Sequence, residues 1–92
     1  MTGTIPSEIG NLSALATWRC MNGDVTGTIP TEIGKLTSLT TLSLTEMDLQ
    51  GTIPSEIGLL TNLKTLILLS NSFTGPLPTE LNQLTKLVDM SV

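Results

Sequence analysis

The chain has 92 residues, 39% hydrophobic but only 2% aromatic, with eight acids against four bases and a net charge of −4. That length allows one domain, and scattered charge excludes the clustered basic face that nucleic acid or an anionic membrane surface requires. The lone Cys20 excludes an internal disulfide framework.

Taken in order, Met1 to Pro6 has neither the basic start nor the apolar stretch of a signal peptide. Gly3-Thr4-Ile5-Pro6 interrupts helix and central strand alike, because Gly permits a bend and Pro has no N–H to donate. Ser7-Glu8-Ile9-Gly10 then suits a short helical or 3₁₀ turn, with Pro early, an acid in the first turn and Gly at the exit. From Leu15 to Cys20 apolar and polar residues alternate, the period of a half-buried strand, with Trp18 and Cys20 inward.

The same order then returns. The tetrapeptide recurs from Gly27 and Gly51, and as Gly75-Pro76-Leu77-Pro78 in the fourth copy, a period of 24 residues without insertion or deletion. Thr31-Glu32-Ile33-Gly34, Ser55-Glu56-Ile57-Gly58 and Thr79-Glu80-Leu81-Asn82 keep the register of the short turn. Leu39 to Leu44, Leu63 to Leu68 and Leu87 to Val92 keep that of the strand. No apolar run approaches the ~18–20 residues of a membrane-spanning helix.

A constant period predicts stacked coils whose strands form a parallel sheet, ~4.8 Å between neighbours. Leu42, Leu44, Leu49, Ile53, Ile57, Leu60 and Leu63 are the predicted inward set of one coil. No coil buries them alone, so stability is shared between neighbours. Neither end carries a polar coil, which predicts exposed edges and a chain that is marginally stable or self-associating.

The run Leu63, Leu66, Leu68, Asn71, Phe73-Thr74-Gly75 and Leu77-Pro78 resembles the plant-type leucine-rich repeat, whose hallmark is its Gly-x-Ile-Pro segment. The resemblance implies an α/β solenoid: a right-handed superhelix of 24-residue coils, with a parallel sheet on the concave side and short 3₁₀ or helical turns on the convex side. A second short sheet follows from the strand-like Ile-Pro segment. Residues 1–92 then form one array of about three full repeats, with partial repeats at both ends and no caps. Similar repeats build the ectodomains of receptor-like kinases and the polygalacturonase-inhibiting proteins. This implies non-catalytic recognition, outside the cell or at its surface, of a protein or peptide or alternatively a glycan. A structural or adhesive surface protein is the second reading, and an ice-binding threonine array the third. One position departs from the pattern: the inward Asn is present only as Asn71, the matching sites holding Gly23 and Met47, so no asparagine ladder runs through the chain and the turns there are expected to be looser.

Outward strand positions form three candidate binding rows: Thr17, Thr41, Thr65 and Asp89; Arg19, Ser43, Ile67 and Ser91; Met21, Thr45 and Leu69. Ile67 and Leu69 are apolar where solvent is expected, which fits a partner contact with a polar rim and equally fits strand propensity alone. Arg19 suits a carboxylate or a solvated end position. Glu8, Glu32, Glu56 and Glu80 form a ladder that offsets local helix dipoles rather than holding calcium. Asn11-Leu12-Ser13 is a glycosylation sequon in a secreted chain. Cys20 reads as a buried thiol, with no His anywhere to activate it. Without His, Tyr or carboxylates converging on a nucleophile, the chain reads as a non-enzyme without cofactor or metal.

Overall fold

A computed structural model describes residues 2–21 and 23–92 of the chain. The glycine repeat divides the chain into four coils beginning at residues 3, 27, 51 and 75. The elements follow in order as β1 (Thr2–Thr4), η1 (Ser7–Asn11), β2 (Thr17–Met21), β3 (Asp24–Gly27), η2 (Thr31–Lys35) and β4 (Thr41–Thr45). They continue as β5 (Asp48–Gly51), η3 (Ser55–Leu59), β6 (Thr65–Ile67), β7 (Ser72–Phe73), η4 (Thr79–Gln83) and β8 (Asp89–Ser91), the η elements being 3₁₀ helices.

Strands β2, β4, β6 and β8 form one parallel sheet, in that order. Its register follows the sequence period, pairing Thr17 with Thr41, Leu42 with Leu66 and Leu66 with Met90. Parallel strands need crossovers, and each coil supplies one through its 3₁₀ helix, which packs beside the helix of the next coil. The predicted inward set, Leu42, Leu44, Leu49, Ile53, Ile57, Leu60 and Leu63, is buried in one continuous core. Trp18 joins that core, and Cys20 packs half-buried against it. Leu12, equivalent to the buried Leu36 and Leu60, is exposed in coil 1.

The second sheet exists but does not use the Ile-Pro segment. Strands β1, β3, β5 and β7 pair in parallel, and each ends at or near the glycine that precedes Ile-Pro. Proline cannot donate to a ladder, so pairing stops before it. The register here pairs Thr4 with Thr26 and Gly27 with Leu49, two residues short of the sequence period. In this arrangement the methyl group of Thr4 lies 3.0 Å from the place a Cβ on Gly27 would occupy, and that of Thr28 lies 2.9 Å from the same place on Gly51. Both glycines have φ near +80°, at +84° and +77°. Glycine meets both demands, since it has no Cβ to clash and tolerates positive φ.

Proline also sets the start of each 3₁₀ helix. Pro6, Pro30, Pro54 and Pro78 sit at the N-caps in extended conformation, and each carbonyl accepts the first turn's bond, as from Ile9 N at 3.2 Å and Ile57 N at 3.2 Å. The glycine expected at the helix exit lies inside the helix instead. Gly10, Gly34 and Gly58 are buried within η1, η2 and η3 because the next helix passes directly over them. A Cβ on Gly58 would stand 2.6 Å from the Glu80 carbonyl oxygen. Close backbone approach, not chain reversal, places glycine there.

Candidate recognition surface

The outer face of the β2-β4-β6-β8 sheet gathers the predicted rows in register. Thr17, Thr41, Thr65 and Asp89 stand side by side, as do Arg19, Ser43, Ile67 and Ser91. Thr17, Arg19 and Asp89 are exposed, while Thr41, Ser43, Thr65, Ile67 and Ser91 are half-buried. The face is therefore rigid, since each strand's backbone bonds fix the spacing. Thr40 N donates to Ala16 O at 2.7 Å, Lys64 N to Thr40 O at 2.8 Å and Val88 N to Lys64 O at 2.9 Å.

The third row does not hold together. Met21 is exposed, but its register partner Thr45 is only 9% exposed, and the Thr45 hydroxyl oxygen is buried without a hydrogen-bond partner. Thr45 is therefore removed from the presented surface. Thr45 is the last residue of β4, and the chain bends just after it, where Glu46 takes a left-handed φ of 55°. Leu69, 46% exposed, lies beyond the end of β6, and Ser70 after it repeats the left-handed turn at 60°.

Those turns were invisible to a reading of alternation alone, and so were the exposed Asp24 and Asp48, which open β3 and β5 just past the strand ends. The signal was available in the repeat, because the two aspartates hold the same phase.

Asn71 clasps its turn as the repeat pattern implies. Its amide nitrogen donates to Leu44 O at 2.8 Å, Leu69 O at 3.2 Å and Leu68 O at 3.3 Å, and its oxygen accepts from Leu49 N at 3.3 Å. The glutamates Glu8, Glu32, Glu56 and Glu80 each fall in the first turn of a 3₁₀ helix, away from the sheet face. Ser7, Ser55 and Thr79 hydroxyls approach the neighbouring glutamate at 3.3–3.5 Å. Among the described residues no three His, Cys, Asp or Glu side chains are grouped to hold a metal ion. Asn11 is the exposed last residue of η1.

Two grooves lie off the sheet face. One of about 540 Å³ runs along the Gly-Thr-Ile-Pro segments, between Thr28, Thr52, Pro54 and Pro78, with Glu56 its only ionisable lining group. The other, about 290 Å³ and almost wholly apolar, opens on coil 1 among Ile5, Ile9, Leu12 and Trp18.

The leucine-rich-repeat family model matches residues 62–84. The chain is 39% identical to the leucine-rich-repeat ectodomain of the Arabidopsis thaliana membrane receptor kinase GASSHO1/SCHENGEN3, solved in complex with CASPARIAN STRIP INTEGRITY FACTOR 2, over 96% of this chain and 11% of that one, with a TM-score of 0.93. It is 36% identical to the ectodomain of the Arabidopsis receptor kinase HAESA, solved with a peptide hormone ligand, over 97% of this chain and 15% of that one, at a TM-score of 0.93. A plant ice-binding protein is 36% identical over 91% of this chain and 27% of that one, with a TM-score of 0.85. The chain thus spans less than a third of the length of each of these three structures. A search of curated proteins finds no match. No helix among the described residues is long and apolar enough to cross a membrane. Parallel strands at a 24-residue step, a 3₁₀ crossover in every coil and these likenesses agree: the chain is a run of plant-type leucine-rich repeats.

Proposed function

We propose that this chain is a non-catalytic recognition segment of an extracellular or cell-surface protein, and that the β2-β4-β6-β8 face binds a protein or peptide. One observation carries the reading: Thr17, Thr41, Thr65 and Asp89, beside Arg19, Ser43, Ile67 and Ser91, are locked in register on a single rigid face. Such a face offers hydroxyls, one apolar side chain and a charge of each sign without having to order itself on binding, which lowers the entropic cost of association. The peptide-bound ectodomains among the similar structures support it. Ile67 gives the face its apolar component, with Leu69 exposed just past the end of β6, and the hydroxyl rows surround it as a polar rim.

A displayed library of random dodecapeptides, selected on the immobilised chain, tests the reading. Selected peptides lose at least ten-fold in affinity against Ser43→Arg/Thr65→Arg and keep it against Glu56→Ala, which lies on the helix side. Peptides indifferent to the first variant and lost with the second place binding elsewhere and refute the proposal; the structural or adhesive reading then gains.

A second reading rests on Thr17, Thr41 and Thr65 as a hydroxyl row and on the likeness to a plant ice-binding protein. Arg19 and Ile67 break the adjacent row, and Thr41 and Thr65 are half-buried, which works against a flat lattice match. Thermal hysteresis abolished by Thr41→Leu establishes this reading; its absence in the unmodified chain ends it.

A further inference from the structure

We propose that Asn11 carries an N-linked glycan, and that this sugar keeps the helix side of the coils in solvent while the sheet face meets the partner. Only a chain that enters the secretory pathway meets the enzyme that attaches such a sugar, so this rests on the extracellular reading above. Asn11-Leu12-Ser13 has what the reaction needs: a carboxamide, a middle residue other than proline, and a hydroxyl two residues on. Asn22, Asn62, Asn71 and Asn82 have no Ser or Thr at that distance. Two of these are engaged in the fold: Asn62 donates to Thr37 O at 2.9 Å and accepts from Lys86 Nζ at 2.9 Å, and Asn71 clasps its turn. The acceptor triplet falls instead on an exposed asparagine at the end of η1.

Its place at the surface does not depend on where coil 1 stands in the stack. Lys35 and Leu59 hold the equivalent position in coils 2 and 3, each with a coil on both sides, and both are exposed, Leu59 to 55%. Each leans over the glycine of the preceding coil. Lys35 Cδ lies 3.0 Å from where a Cβ on Gly10 would be, and Leu59 Cδ1 lies 3.0 Å from the same place on Gly34. The glycine makes room for the side chain, and its exposed remainder stays in water. Thr37 and Thr61, the equivalents of Ser13, are exposed as well. Flanking coils therefore leave both ends of the triplet accessible.

The folded site also tolerates the substituent. Backbone bonds close the chain around it: Leu12 N donates to Ile9 O at 3.0 Å, and Leu12 O accepts from Leu15 N at 2.9 Å. A group on Asn11 Nδ2 breaks neither of them. In the transfer, Nδ2 bonds to the anomeric carbon of the first sugar of a lipid-linked oligosaccharide. The bond from that carbon to the lipid's diphosphate oxygen breaks, the diphosphate leaves with the electron pair, and Nδ2 releases one proton. The 3₁₀ helices pack beside one another away from the sheet face, so the oligosaccharide leaves the molecule on the side away from Thr41 and Ser43. A bulky, hydrated sugar there excludes protein from the helices and leaves the strand rows open.

Expression in insect cells behind a cleavable secretory leader tests this, with the chain collected from the medium. Peptide mass mapping finds sugar on Asn11, and a glycosidase that hydrolyses the bond between asparagine and sugar removes it, leaving a carboxylate at that position. Asn11→Gln and Ser13→Ala each abolish the modification without changing the circular dichroism. Lys35→Asn and Leu59→Asn complete the same triplet with Thr37 and Thr61, and each adds a glycan at an unchanged melting temperature. Dodecapeptides selected on the sheet face bind the sugared and the stripped chain alike. An unmodified Asn11 in the secreted chain overturns the proposal, as does a melting temperature lowered by the glycan of Lys35→Asn or Leu59→Asn, or a peptide affinity that changes on stripping. Sugar on Asn11 with no face-specific peptide selected upholds the glycan site and ends the recognition reading, which keeps the two failures apart.

Discussion

The turns that follow β4 and β6 occupy equivalent places in successive coils and are closed by opposite means. Both bend through a left-handed residue, Glu46 at φ 55° and Ser70 at φ 60°. In coil 3 the side-chain amide of Asn71 fills the turn and bonds four backbone groups. In coil 2 the same place holds Met47, apolar and only 5% exposed. Two of Asn71's bonds go to Leu44 O and Leu49 N, which bracket the turn of coil 2. The amide in one coil therefore closes its neighbour's turn as well as its own. A thioether is tolerated at Met47 because the polar groups around it find their partner one coil away, while its flexible chain fills the space left.

This comparison can be broken by mutation. Met47→Ala leaves a cavity in a buried turn and should cost about 3 kcal/mol by urea unfolding, within the range for buried aliphatic truncation. Asn71→Ala should cost about 2 kcal/mol, because it strands carbonyls and one N–H that are partly shielded from water. It should also speed hydrogen exchange at the Leu49 amide in coil 2. Unchanged exchange at Leu49 would show that the two turns are independent. Met47→Asn sharpens the contrast: an amide buried in an unprepared site is expected to be worse than Ala, but here the backbone already has the turn's shape. We expect Met47→Asn to be about 1.5 kcal/mol more stable than Met47→Ala, since an amide there can meet backbone groups of coil 1 as Asn71 meets those of coil 2. An asparagine variant below the alanine one would mean packing alone holds that turn. The smallest effect concerns Thr45, just before the same turn. Its buried, unpartnered hydroxyl costs stability, so Thr45→Val should raise the unfolding free energy by about 1 kcal/mol.

The Gly-Thr-Ile-Pro face and the strand face also differ in how far a reader of residues could go. Alternation in Leu39 to Leu44 placed Leu42 and Leu44 inward and Thr41 and Ser43 outward, and the sheet obeys that pattern through Leu44. At Thr45 the pattern fails, since this outward position is only 9% exposed, and the left-handed Glu46 after it ends the strand at a turn that neither residue type announces. The rows at Thr17 and Arg19 were legible because the register repeats the sequence period; the second sheet was misplaced because its strands end at or near the glycine, before the proline that cannot donate to a ladder.

The period of 24 residues by itself determined the coil, the strand set and the spine of leucines, because stacking side chains at a constant interval is the one way each coil can bury an apolar edge it cannot bury alone. Only the tertiary structure decided where glycine is needed for close approach, which outward residue is covered, and which coil's polar groups a given amide serves. Those outcomes depend on distances between coils, such as the 2.6 Å separating a Cβ on Gly58 from the Glu80 carbonyl, and no residue carries that distance in its own identity.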